Sequence, residues 1–386
     1  MTDTARAVQV PLQTVAREWT KIGVTGFGGP PTHIALFRAL LVDRRKWLDA
    51  RELEDAIAAC NLLPGPASTQ LAIFCAQRLS GRLGAVVGGL GFIVPAVAMV
   101  TALAAVFLAQ TAPAWIRGAG VGAGAAVAAV AAHAAIDLMK PSWGRVTEAR
   151  ARRVRWSLYV ALGAAAALLG PYLVLVLLGC GLFELLLRTR SRVSEALTIA
   201  PFAAVPAVGG LGALAWVAIK VGALSYGGGF VIVPLMRSDA VHTYHWMTQA
   251  QFLSAVALGQ ITPGPVVATV AAVGYAADGV GGALLAATIA FLPSFAFVML
   301  LGGQFERLRT NDRAQAFLNG AGPAAIGAIL GAAIALAAAL SETWQFVVLG
   351  AAAFALLIAK RGVVSTLLAA GTTGAIVGLA GGPLPQ

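Results

Sequence analysis

Long apolar stretches dominate the chain, each set off by a short polar or basic loop. The windows 84–109, 118–139, 282–303 and 319–340 each hold the ~20 predominantly apolar residues that cross a bilayer as a helix. Other apolar regions are broken in the middle. In "NLLPGPASTQ" (61–70) a proline–glycine–proline knot and a run of small polar side chains sit inside an apolar stretch. A proline within a helix removes a donor and clashes with the preceding turn, so the knot ends one helix and starts another. At ~1.5 Å per residue, segments 53–63 and 67–77 are each about half a membrane long. They predict two half-helices meeting inside the bilayer, where irregular backbone survives only in protein or beside a water-filled cavity. "GFGGPP" (26–31) is a second break of this kind. The pattern predicts an all-α polytopic membrane protein with broken, re-entrant helices and roughly 10 to 13 membrane segments.

The pattern also repeats. "KIGVTGFGG" (21–29) returns 199 positions later as "KVGALSYGG" (220–228). At the same offset Arg38 meets Arg237, Trp47 meets Trp246, Asn61 meets Gln260, and the PGP at 64–66 meets the PGP at 263–265. Slightly displaced, Pro95 pairs with Pro293 and "GAG" at 118–120 with "GAG" at 320–322. The first repeat with its trailing hairpin is assigned to 11–195 and the second to 196–386. Loop charge orients the copies. Loop 43–51 has four basic residues and its counterpart 242–250 has no Lys or Arg; loop 140–155 has six and the stretch around 341–343 has none. Farther on the bias reverses, since 110–117 has one base and 303–317 has three. Basic loops mark the cytoplasmic face. Their alternation implies that the second repeat is inverted, with the N-terminus cytoplasmic and the C-terminus periplasmic. The odd crossing then falls to the short, proline-rich stretch 196–212.

Composition narrows the function classes. Hydrophobic residues make up 59% and charged residues 11%, against about a quarter charged in soluble domains. The net charge of +11 sits mostly in short loops, so it argues for topology and against nucleic acid as a partner. The N-terminal 21 residues lack the apolar core of a cleavable signal. Cys60, Cys75 and Cys180 lie scattered in apolar segments without metal-ligand spacing and read as packing residues. No Walker A motif, H-E-x-x-H helix, G-x-S-x-G elbow or pair of membrane-embedded aspartates occurs, which leaves ATP hydrolysis and intramembrane catalysis without a site.

The candidate chemistry is anion binding. The N-terminus of the second half-helix of each pair exposes unpaired N–H groups and the positive end of the helix dipole. Ser68, Thr69 and Gln70 add donors in the first copy, and Thr269 is the counterpart of Gln70. Lys21 and Lys220 precede the glycine-rich breaks, and Arg38 and Arg237 follow them. A cation at the centre of a lipid-facing helix costs at least ~2.5 kcal/mol, so these four are expected to line a cavity or meet something negative. Asn61 and Gln260, like the two arginines, are candidates for substrate contact or gating. A pair of His133 and Asp137, four apart on one helix face, is a candidate proton relay, with helix-end pairing of Asp137 and Lys140 as the alternative.

"GFGGPP" with Lys21 upstream, "LPGPASTQ" and their echoes in the second half resemble the chromate ion transporter family in its long, two-domain form, over about 11–140 and 210–340. The resemblance implies a secondary active transporter that exports chromate, a tetrahedral oxyanion, across the bacterial inner membrane and confers chromate resistance. Sulfate, of the same shape, is the alternative substrate. Motif residues carried over are Lys21, Gly28, Gly29, Pro30, Pro64, Gly65, Pro66 and Gln70, with Lys220, Gly227, Gly228, Pro263, Gly264 and Pro265. After its PGP the second copy reads "VVAT" where the first reads "ASTQ", which favours one asymmetric site dominated by the first copy. The expected partners are the oxyanion and the lipid bilayer, with a homodimer as a candidate assembly and no cofactor.

Plainer readings stand beside these. The PGP turns could be kinks without a ligand. Lys21 could pair with Glu18 on an interfacial helix, whereas Lys220 has no acidic neighbour close in sequence. Both arginines could snorkel toward headgroups. A passive anion channel would also use helix N-termini.

Overall fold

The computed structural model describes residues 9–60, 65–109, 111–144, 146, 150–169, 172–188, 209–225, 230–301 and 311–385. These are helical, with no strand among them. Asn61, Pro64, Gly227 and Gly228 lie outside the described residues, as do most of 196–212 and the stretch 302–310. The first copy runs α1 (Leu12–Thr25), α2 (Pro30–Arg38) with a π-helical extension (Ala39–Arg44), α3 (Ala50–Cys60), α4 (Ala67–Phe107) and α5 (Ala114–Gly144), then the hairpin α6 (Arg150–Leu169) and α7 (Leu173–Arg188). The second runs α8 (Leu211–Leu224), α9 (Ile232–Arg237) with a π-helical extension (Ser238–Thr243), α10 (Gln249–Ile261) and a 3-10 turn (Val266–Thr269). It continues through α11 (Val270–Leu301) and α12 (Asp312–Ala338) to the hairpin α13 (Thr343–Ala353) and α14 (Val363–Leu379).

Among the described residues, four helices are long and apolar enough to cross a membrane: 67–107, 114–144, 266–300 and 312–338. They contain the windows read from the sequence, except the last residues of three of them. The second half-helix of each copy is not a separate element. It joins the following span through a kink, at Ser80–Gly81 in α4 and at Asp278–Gly279 in α11.

The repeat is written into the backbone. Two residues past each π extension stands a residue with left-handed φ, Lys46 at 52° and His245 at 53°. Trp47 N–H then donates to Leu41 O and Trp246 N–H to Ala240 O, each at 2.8 Å. Both following helices start with reciprocal caps. Glu52 N–H donates to Asp49 Oδ1 and Gln251 N–H to Thr248 Oγ1, and Glu52 and Gln251 side chains accept from the Asp49 and Thr248 N–H groups. Each such cap satisfies backbone donors a helix start leaves open.

The copies are interlocked. α5 of the first copy packs on α13 and α14, the trailing hairpin of the second, while α12 of the second packs on α6 and α7, the trailing hairpin of the first. Small residues make this approach close. A Cβ at Gly118 would collide with the Gly374 carbonyl, at Gly122 with that of Ala370, and at Gly163 with that of Ala324. Lipid supplies no hydrophobic drive between helices, so such backbone-to-backbone packing carries the association. The three cysteines are buried and free.

Candidate functional site

The two PGP turns share a backbone and differ in surroundings. Gly65 has φ +118° and Gly264 φ +95°, a region that L side chains rarely adopt. Pro66 and Pro265 then stand immediately before the helical turns. At the first turn Thr69 and Gln70 N–H both bond to Pro66 O at 3.0 Å. Helix geometry leaves the N–H groups of Ala67 and Ser68 without an intrahelical acceptor. Ser68, Thr69 and Gln70 are buried, and Gln70 Nε2 lies 2.6 Å from where a Cβ on Gly65 would stand. Ser294 Oγ, from α11 of the other copy, is 3.4 Å from that same point. Thr69 Oγ1 and Ser294 Oγ are both fully buried without a hydrogen-bond partner among the described residues.

The second turn is satisfied from within. Gly264 N–H donates to Gly26 O at 3.0 Å, and His33 Nε2 donates to the same carbonyl at 2.9 Å. Thr269 Oγ1 donates to Val266 O at 2.7 Å. A Cβ on Gly264 would stand 2.7 Å from the Ala96 methyl. Gln260, just before this turn, is buried with Nε2 unpartnered among the described residues.

The glycine-rich break of the first copy therefore serves the second copy's turn. Gly26 bonds Gly264, and a Cβ on Gly29 would meet Val266 Cγ2 at 3.9 Å. Gly28 and Gly29 take φ of 102° and 77° ahead of Pro30, the first residue of α2.

An open cavity distinguishes the turns further. It measures about 820 Å³ and extends from Gly65 and Ala67 to Arg155, Glu184 and Arg188. α3 borders it and buries only Leu53, Ala56, Ala59 and Cys60. Its counterpart α10 is buried continuously from Phe252 to Gln260, packed on α5 where Gly120 and Gly124 admit Ser254 and Leu253. In the cavity wall Glu184 is buried and receives Tyr159 Oη at 3.0 Å and Arg188 Nε at 3.1 Å, with Arg155 Nε 3.1 Å away. Sequence reading passed over Glu184, although a lone carboxylate inside "LVLVLLGCGLFELLLR" is costly in lipid and signals a partner. A second cavity of about 400 Å³ is lined by Arg237, Ser238 and His242.

Three of the four candidate cations, Lys220, Arg38 and Arg237, meet a protein partner. Lys220 Nζ lies 2.6 Å from Asp239 Oδ2, both largely buried, and 5.6 Å from the Trp216 ring centre. No acidic residue lies close to Lys220 in sequence; its partner comes from the fold, which brings the π extension of α9 beside α8. Glu18 pairs with Arg45 at 2.6 Å rather than with Lys21, which is exposed on α1. Arg38 reaches Glu54 at 3.4 Å, and Arg237 Nε donates to Gln249 Oε1 at 2.9 Å. His133 Nε2 is 3.3 Å from Asp137 Oδ2, and Lys140 Nζ is 3.8 Å from Asp137 Oδ1, so Asp137 joins both groups near the end of α5.

A family model described as "Chromate transporter" matches residues 13–185 and 212–379. The "Chromate transport protein" of Cupriavidus metallidurans is 31% identical over 384 residues, covering 97% of this chain and 94% of that protein. That of Pseudomonas aeruginosa is 31% identical over 404 residues, covering 97% and 95%. The "Probable chromate transport protein" of Synechococcus elongatus is 31% identical over 337 residues, covering 84% of each. No solved structure matches the chain at a significant level.

Proposed function

The chain belongs to the chromate transporter family, and from that premise we propose that it exports chromate across the bacterial inner membrane as a secondary active transporter, conferring chromate resistance. The observation that carries the site is the state of the first PGP turn. Gly65 and Ala67, at its helix N-terminus, line an 820 Å³ cavity, and the Thr69 hydroxyl buried one turn in has no partner among the described residues, while the second turn is packed and self-bonded. An oxyanion arriving through that cavity meets donors at the positive end of a helix dipole. Arg155 and Arg188 in the wall raise the local anion concentration on the way.

Loop charge orients this arrangement. Pro141, Ser142, Val146, Arg152 and Arg155 of the basic stretch 140–155, the cytoplasmic face under the positive-inside rule, line the cavity. Export begins there, with the two repeats inverted and the N-terminus cytoplasmic. Everted membrane vesicles test the reading. Saturable, energised chromate uptake that stops when the proton gradient is collapsed is expected. Its absence ends the proposal, and gradient-independent flux makes the protein a channel. Hydrogen-bond donors alone do not separate tetrahedral dianions, so sulfate is expected to compete.

A further inference from the structure

We propose that the anion site is shared between the two copies, with Ser294 of the second copy closing the oxyanion's shell at Gly65 and Ser225 standing beside it. This rests on the reading that the first-copy turn binds the anion. The polar side chains segregate by turn and not by copy. Across the repeat, Ser68, Thr69 and Gln70 face Val267, Ala268 and Thr269. The residue after the mid-helix proline is Ser294 beside Gly65 but Ala96 beside Gly264. Gly26, whose carbonyl accepts from Gly264, has Ser225 as its counterpart 199 positions on. The first two contrasts put the hydroxyl or amide on the Gly65 side, whichever copy supplies it, and by the same repeat Ser225 is inferred to stand on that side.

Thr69 Oγ1, Ser225 Oγ and Ser294 Oγ all lie in fully buried residues, and all three lack a partner among the described residues. A buried hydroxyl without a partner is costly and is not retained for packing, since alanine packs as well. Three of them call for a ligand rich in acceptors. Lys220, Arg38 and Arg237 are meanwhile engaged by Asp239, Glu54 and Gln249. The ligand class is therefore a tetrahedral dianion held by hydroxyl, amide and backbone donors without a fixed counter-charge. Because α4 and α11 both contribute, binding ties the two copies together at the point where they meet.

The test is calorimetric titration of chromate and of sulfate onto the full chain in nanodiscs, with chromate uptake into everted vesicles alongside. Ser294→Ala should weaken both dianions about tenfold, as loss of a hydrogen bond to a charged group does. Ser254→Ala, another buried serine of the second copy but bonded to Ala250 O, should bind as wild type does. Unchanged affinity in Ser294→Ala, or no dianion binding by wild type, overturns the shared site. Wild-type chromate uptake with an unaltered KM in Ser294→Ala sinks this inference and leaves the transport reading standing. Sulfate binding weakened by Ser294→Ala, without any chromate uptake, does the reverse.

Discussion

Two turns of the same sequence, PGP, occupy equivalent places in the two copies, yet one is finished and the other is waiting. The Gly264 turn spends its donors on protein: its N–H on Gly26, its threonine on Val266. The Gly65 turn keeps buried hydroxyls around it unsatisfied and faces a cavity. The difference teaches that duplication preserved the helix break, which backbone geometry requires, and released the side chains around it. A break is scaffold, and its lining decides whether it binds.

The largest expected effect comes from stripping that lining. Ser68→Ala, Thr69→Val and Gln70→Leu combined should lower chromate transport by at least about a hundredfold, because each lost bond to an anion is worth ~1.5–3 kcal/mol. Near-normal flux in vesicles would show the two turns to be alike. Next, Gly65→Ala and Gly264→Ala should separate function from folding. Both pay ~1–3 kcal/mol of backbone strain. At Gly65 the added methyl meets the tip of Gln70, and at Gly264 it meets Ala96. Gly65→Ala is expected to yield folded, inactive protein and Gly264→Ala a lower melting temperature, both read by fluorescence-detected size exclusion with heating.

A smaller contrast lies in the ties between each copy's first helix and its π extension. Asp239→Asn strands Lys220, whose side chain is 17% exposed, whereas Glu18→Gln frees Arg45, at 47%, into solvent. Losing the partner of a buried charge costs ~3 kcal/mol, and of an exposed one under ~1 kcal/mol. Thermal denaturation should rank Asp239→Asn clearly below Glu18→Gln. Least of all, Arg155→Gln should raise the chromate KM on the order of threefold at low salt and hardly at all at high salt, the signature of screened steering.

Much of this was legible in the chain. Spanning helices follow from apolar length, and the repeat that pairs Trp47 with Trp246 in sequence returns in their matching backbone bonds. What stayed hidden depended on contacts between copies. The alignment that pairs Pro95 with Pro293 already sets Ala96 against Ser294, but only the fold brings Ser294 to Gly65. Asp239 was hidden within its own copy. It lies 19 positions from Lys220, and only the packing of α9 and its extension beside α8 brings the two together.

The interlocked hairpins have a consequence for synthesis. The glycine face of α5 leaves the ribosome before the second copy is made, yet its cover, α14, follows only after α12 and α13. Until then Gly118 and Gly122 have no backbone to lie against. The first copy is thus completed by the end of the second, and a chain that stops before Val363 leaves both halves unfinished.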